Sequence, residues 1–479
     1  MTQQREAPRP RTREAAVLGV SIGVSLALVL GLPAAVVTLT PVGEWIGYTA
    51  QQAQQAPAAV QAAAQDPAAA APAAADLREG GVFVMSNSDQ GNVVVAFARG
   101  QDGKLTEVGR YETGGLGSGS FEDSAGALVL GTADGEASPN QNVDKAELLF
   151  VPNPGSSSIT VFRVLADRLE LATKVSSGGE KPVSLTVSKG VLYVLNSGEF
   201  DDRLLLSETE VIENCTTGQL PSITGFKVSP DGNLTPIEGS TRLLSEEAES
   251  GCAQVSFSPD GTRLVVSERI ANLEGTSEPN KGTLVTFTVR SDGTLSNKKV
   301  LDPVGIGPFG FTFTKDGKLL TTEQTRALAN PGGGHTASYT PGPDNAWTPT
   351  NGSVPNFQTD TCWIQVTKDG RLAFVSAPFP GTVGAYSLSP DGSMTLIRTA
   401  SAAADGQDQN ADPFNDATTD IGLSRDNKFL YVLNSNEGTV VATAVNPDGT
   451  LTHIETYKAF EPLVLGEGGE LDAFGLVAF

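Results

Sequence analysis

This 479-residue chain has only two histidines and three cysteines, so its candidate acid–base groups are mainly carboxylates and must be weighed by position. Glu268 and Glu323 end two short apolar runs at a place where Asn87, Asn153, Asn196 and Asn434 end the comparable runs. Two Glu in equivalent sites would make a carboxylate pair with one raised pKa, the arrangement that acid–base work requires. Alternatively they neutralise Arg269 and Arg326, their neighbours in sequence. Asp420 is a lone carboxylate in a run otherwise almost free of charge. It would act as a general base or cation ligand, or else cap nearby backbone N–H groups. His335, after Pro331-Gly332-Gly333-Gly334, is a candidate base in a loop, and His453 lies on an outer strand. Candidate catalytic residues are therefore Glu268, Glu323, Asp420 and His335. Gln254, Trp363, Asn196 and Arg269 are candidate ligand contacts.

Other motifs carry less. Asp405, Asp408, Asp412 and Asp416 form an oxygen-rich run of the kind calcium prefers, but their spacing is not that of an EF-hand loop, and no cofactor is expected. There are three cysteines. Cys215 in a long loop and Cys252 at the start of the next repeat suit a disulfide outside the cytoplasm, which leaves Cys362 beside Trp363 with no base to activate it. The Gly19-Val20-Ser21-Ile22-Gly23 match sits in an apolar segment, without the strand-to-helix context of a nucleophile elbow.

The elements that must hold these residues are legible from a repeated turn phrase. Asp102-Gly103-Lys104-Leu105-Thr106 returns at Asp231, Asp292, Asp391 and Asp448, with worn copies at Asp167 and Asp344. The seven copies are spaced by 65, 64, 61, 52, 47 and 57 residues. Asp-Gly supplies the positive φ angles of a tight hairpin, and Leu-Thr opens the returning strand. A repeating small sheet cannot bury its own faces, so seven copies predict a seven-bladed β-propeller. Each blade reads strand A, Asp-Gly turn, strand B, loop, strand C, Asp-Gly turn, strand D. The position six residues before the Asp of the A–B turn, on the inner strand, holds Gln254, Gly310, Trp363 and Asp420. Residues 81–87 read as a strand B lacking its strand A, and 473–479 as a strand A with nothing after it. Pairing them closes the ring and removes exposed edges.

The repeats occupy residues 80–479. Before them, residues 1–14 carry Arg5, Arg9, Arg11 and Arg13, and 15–43 contain no charged residue. About 20 apolar residues span a bilayer as a helix, and the preceding arginines orient that helix with the remainder outside the cytoplasm. The expectation is one transmembrane signal-anchor, a linker over 44–79 rich in Ala, Gln and Pro, and a monomeric extracytoplasmic propeller. Cleavage of the apolar segment would make it secreted. With 55 acidic against 32 basic residues, the net charge of −23 excludes nucleic acid as a partner. A small molecule or envelope partner would instead meet the loop-rich face. There, long B–C loops follow Asn196, Glu268 and Glu323 in consecutive blades.

Three phrases complete the picture: Val191-Leu192-Tyr193-Val194-Leu195-Asn196-Ser197, Ser256-Phe257-Ser258-Pro259-Asp260-Gly261, and the run from Phe226 through Ser229-Pro230-Asp231-Gly232 to Pro236. With their spacing they resemble the lactonase-family propellers, which include 6-phosphogluconolactonase-like enzymes and the 3-carboxymuconate lactonizing enzyme. The resemblance covers roughly 80–479 and implies a lactone hydrolase or cyclase. It also implies a Gly-Pro-Arg-His stretch on one inner strand, where this chain has Gly251-Cys252-Ala253-Gln254, and a Glu just after the Asn of the next strand B. Here Glu268 stands one residue early. The alternative implied by these departures is a non-catalytic binding propeller.

Overall fold

The computed structural model describes residues 76–119, 122, 124–132, 145–198, 219–247, 250–272, 277–278, 280–326, 330–378, 381–403, 417–461 and 473–479. Seven antiparallel sheets, one per blade, form an all-β propeller. Each is traversed in the expected order. Blade 4, for example, runs Cys252–Phe257, Arg263–Glu268, Thr283–Val289 and Leu295–Leu301. Closure is the predicted one. Phe474–Ala478 pairs with Gly81–Met85, matching Val82 with Ala478 and Phe83 with Val477, so blade 1 is built from both ends of the repeat region.

All seven turn phrases join strand C to strand D. Their local chemistry differs from a two-residue hairpin. Gly103, Gly232, Gly293, Gly392 and Gly449 have φ between 81° and 91°, but the preceding Asp does not enter the left-handed region. The Asp acts through its side chain, accepting the backbone N–H two residues on, as in Thr294 N–H to Asp292 (2.9 Å) and Thr450 N–H to Asp448 (3.1 Å). In the worn copy, Asp344 and Asn345 both take positive φ in place of glycine.

Blades cohere through apolar seams. Seven buried clusters correspond to the seven blade boundaries, Leu105 and Phe97 of blade 1 packing on Phe429 and Tyr431 of blade 7 at the closure. Burying each such side chain is worth roughly 1.5–3 kcal/mol. Two tyrosines couple seam to turn: Tyr193 donates to the Gly293 carbonyl of the next blade (2.8 Å), and Tyr431 to that of Gly103 (2.9 Å). The strand-B runs are apolar because both of their faces lie in such seams.

The topology puts every A–B and C–D turn on one face and every B–C and D–A connection on the other. The inner strands start at this second face, so the side chains just before and inside them ring the mouth of the axial channel. The segment 15–43, residues 405–416 and Cys215 lie outside the described residues, as do the anchor, calcium and disulfide expectations that rest on them. Among the described residues, no helix is long and apolar enough to cross a membrane, and no group of three or more His, Cys, Asp or Glu is arranged to hold a metal.

Candidate functional site

In blades 2, 4 and 5 the end of strand B holds the incoming chain. Asn153 accepts from Thr113 Oγ1 at 2.6 Å, and Thr113 belongs to the connection leading into the same blade. Glu268 does this job in blade 4 with a carboxylate. It accepts from Ser245 N–H (3.1 Å), Ser245 Oγ (3.0 Å), Ser250 Oγ (2.8 Å) and Thr283 Oγ1 (3.1 Å), and has no solvent exposure. Glu323 repeats the arrangement in blade 5, taking Gly305 N–H at 2.7 Å and the Ser353 hydroxyl. Burial raises both carboxyl pKa values, and these hydrogen bonds pull them back. The two carboxylates share no partner and do not form a pair. Neither takes its neighbouring arginine: Arg326 pairs with Glu278 at 3.3 Å, and Arg269 is drawn to Asp360. Asn196, at the same place in blade 3, is buried.

His335 is not in a loop. It opens strand C of blade 5, opposite Glu323 in register, with Nδ1 2.6 Å from the Gly333 carbonyl. It therefore belongs to the Glu323 clamp and not to the channel. His453 is on the outer strand Leu451–Lys458.

Asp420, Gln254 and Trp363 converge on the axial channel, in a cavity they share with Ala125, Gly126 and Gln365. It leaves about 20 Å³ for the centres of water molecules, room for little more than one water. Asp420 is wholly buried there. Desolvation pushes its carboxyl up to about 7, and the backbone N–H groups of Leu476 (3.2 Å) and Ile421 oppose the rise. The Gln254 carboxamide is spent on the neighbouring inner strand, donating to Phe311 O (2.9 Å) and accepting from Phe311 N–H (2.7 Å). It thus staples blades 4 and 5.

At the mouth stand buried charges that no motif announced. Lys181, directly before the inner strand Pro182–Ser188, meets Glu122 at 3.3 Å, with both side chains at most 1% exposed. Arg269, also fully buried, follows Glu268, at the position where the family resemblance implies a Glu. Burial lowers its pKa to about 10, and Asp360 and Cys362 work against that fall. Asp360 in turn is raised by burial and restrained by the Cys362 thiol and Arg269. The Cys362 thiol bridges Gln324 Nε2 and Asp360 O, each at 3.3 Å. Burial and Asp360 push its pKa up, the opposite of what a nucleophile needs.

Glu122 arrives on a segment that crosses the mouth. Ser124 O accepts from the Trp363 indole of blade 6 (3.1 Å), while Ser124 Oγ donates to Val183 O of blade 3 (3.2 Å). Ala125 N–H donates to Ala253 O of blade 4 (3.0 Å), and its carbonyl accepts from Ser184 Oγ (2.7 Å). Ala125 and Gly126 of this segment line the cavity that holds Asp420. The site as a whole offers a carboxyl at Asp420 that burial shifts toward neutral pH. Sequence reasoning located Asp420, Trp363 and Gln254 by blade register. It missed Lys181, Glu122 and Asp360, whose only signal was a charge beside an inner strand otherwise free of charge.

The family described as lactonase, 7-bladed beta-propeller, matches residues 218–327 and 334–462. Among solved structures, a Lactobacillus plantarum protein is 17% identical with TM-score 0.56, covering 84% of this chain and 99% of its own. The periplasmic gluconolactonase of Pseudomonas aeruginosa is 15% identical with TM-score 0.55, covering 80% and 97%. A hypothetical selenium-binding protein of Sulfolobus tokodaii is 12% identical with TM-score 0.57, covering 84% and 93%. No curated protein matches the chain. The chain belongs to the lactonase family of seven-bladed β-propellers. At these identities the structural neighbours share its architecture, and activity must be argued from the site.

Proposed function

We propose that the protein is a lactonase-type hydrolase of the cell envelope, acting on a small lactone at the mouth of the axial channel. One observation carries the reading: Asp420 is the carboxylate lining the axial cavity, and burial sets it to about 7, where a general base works best. Its carboxylate takes a proton from water as the water oxygen attacks the lactone carbonyl. The ring C–O bond then breaks, and the proton passes to the leaving alkoxide, giving the hydroxy acid. Reversal of the same steps would close a ring. The envelope location rests on the uncharged segment 15–43 behind its arginines. Partition of the full chain between membrane and soluble fractions tests it.

A second reading, a binding propeller without turnover, is favoured by the scatter of Glu268, Glu323 and His335. They serve blade clamps and leave Asp420 without a second acid–base group from that set. Hydrolysis of a lactone panel by the full chain, repeated with Asp420→Asn, decides between them. Turnover lost in the variant supports the hydrolase; turnover that survives it removes Asp420 from the mechanism. Lactone binding with no turnover supports the second reading.

A further inference from the structure

Two carboxamides line the axial cavity, and the fold uses them differently. Gln254 spends both ends on the Phe311 backbone, at 2.9 and 2.7 Å. Gln365 is only 8% exposed, yet its side chain takes no hydrogen bond among the described residues. We propose that the axial cavity binds one water molecule between the Asp420 carboxylate and the Gln365 carboxamide, and that Gln365 is the positioning residue that turns this water toward the lactone. The positioning role rests on the hydrolase reading; the water site does not.

Three observations support it. The first is size. The cavity leaves about 20 Å³ for water centres, against the roughly 10–15 Å³ that one water requires. The second is placement. Trp363 shares the blade register of Asp420, and Gln365, two residues further on, takes the same face of the neighbouring inner strand. It therefore lies one pleat deeper than Asp420. Blades 3, 4 and 5 carry Thr186, Ser256 and Thr312 at that depth, so Gln365 is the polar side chain with the longest reach there. The third is bonding. A carboxylate has about four acceptor sites, and the Leu476 and Ile421 N–H groups fill two of those on Asp420. A water that donates one hydrogen to Asp420 and the other to Gln365 Oε1 keeps its lone pairs for the carbonyl carbon. Its proton then passes to Asp420 as the water oxygen attacks. Asp420 is the one ionisable group lining the cavity. Of the strands packed closest on Thr418–Leu423, only Phe429–Asn434 carries an ionisable side chain. That is Tyr431, which donates to Gly103 O in the seam with blade 1. The titration of Asp420 therefore reports on the water.

A crystal structure of the full chain tests the site directly. It should show one ordered water within hydrogen-bond distance of both Asp420 and Gln365; its absence, or a water that touches only one of them, overturns the proposal. Thermal melts from pH 4 to 9 compare wild type and Gln365→Met, each with its own Asp420→Asn counterpart. Without the water the charged carboxylate loses a donor, so its pKa rises further. The melting gap to the Asp420→Asn counterpart should then level off about one pH unit higher in Gln365→Met than in wild type. Levelling at the same pH overturns the proposal. On the best lactone of the panel, Gln365→Met should lower kcat roughly a hundredfold with KM within about twofold. A raised KM at unchanged kcat overturns the positioning role. Should Gln365→Met fail to fold, Gln365→Asn keeps the amide and shortens its reach. A fall in its kcat supports the proposal, and an unchanged kcat overturns it. Turnover lost in Asp420→Asn but unchanged in Gln365→Met removes this inference and leaves the hydrolase. A water on both groups in a wild type that turns over no lactone removes the hydrolase and the positioning role, and leaves the water site.

Discussion

Replacing Asp420 with Asn should make the protein more stable above neutral pH while removing its activity. Burial pushes the carboxyl up to about 7 in the folded chain, against an ordinary value of 3.8. Between those values the folded state keeps a proton that the unfolded state has released. Stability from this group is therefore full below about pH 4, falls as pH rises, and is lost above about 7. At about 1.4 kcal/mol per unit, the shift corresponds to some 4 kcal/mol of destabilisation at pH 8. An amide has no charge to desolvate, and its oxygen can still accept the Leu476 N–H that now reaches Asp420 at 3.2 Å. The variant should melt about 5 °C higher than wild type at pH 8, given the unfolding entropy of a propeller of this size. The gap should close near pH 4, where both side chains are neutral. Thermal melts of both proteins from pH 4 to 9 supply the test. A variant less stable at pH 8, or a difference that does not change with pH, would refute the reasoning. A carboxylate kept in the channel against stability is what a functional site looks like.

Other changes probe the scaffold. Glu268→Ala strands four donors and should cost about 2–4 kcal/mol in denaturant titration, leaving turnover per folded molecule unchanged if Glu268 is a clamp. Tyr193→Phe and Tyr431→Phe should each cost about 1 kcal/mol, and the costs should add, since the two serve distant seams. Gly103→Ala combines a positive φ with a Cβ placed 2.4 Å from the Phe429 ring, and should lower the melting temperature by more than either tyrosine change. Deleting residues 473–479 leaves an inner edge of blade 1 unpaired. The expected result, read by size-exclusion chromatography, is aggregation in place of a monodisperse propeller.

The fold was legible because its determinants are local and repeated. Each Asp-Gly-x-Leu-Thr phrase specifies a turn by its own backbone chemistry, whatever the rest of the chain does. Ring closure followed from the half-blades at the two ends. What local reasoning mistook was the source of the turn. The phrase looks like a two-residue hairpin, but the Asp contributes a side-chain hydrogen bond and only the Gly supplies positive φ. The sequence does not distinguish these, because both solutions prefer the same dipeptide.

The site was legible only where it obeys the blade register. Asp420, Trp363 and Gln254 share one inner-strand position, so counting from each turn brings them to the channel. Glu268 and Glu323 obey a register too, but it is the register of the strand-B ends, where a polar group must hold the incoming connection. Asn153 serves that need in blade 2 and Glu in blades 4 and 5, so a carboxylate there reports a clamp with more donors, not acid–base chemistry. The segment bearing Glu122 follows no register. Its place is decided by how the first D–A connection crosses the ring to Val183, Ala253 and Trp363, three blades that the repeat treats alike. A repeat pattern constrains what all blades share, and a specific ligand needs what one blade alone supplies. Lys181 and Glu122 meet in that unshared part, which is why no repeat motif announced their pairing.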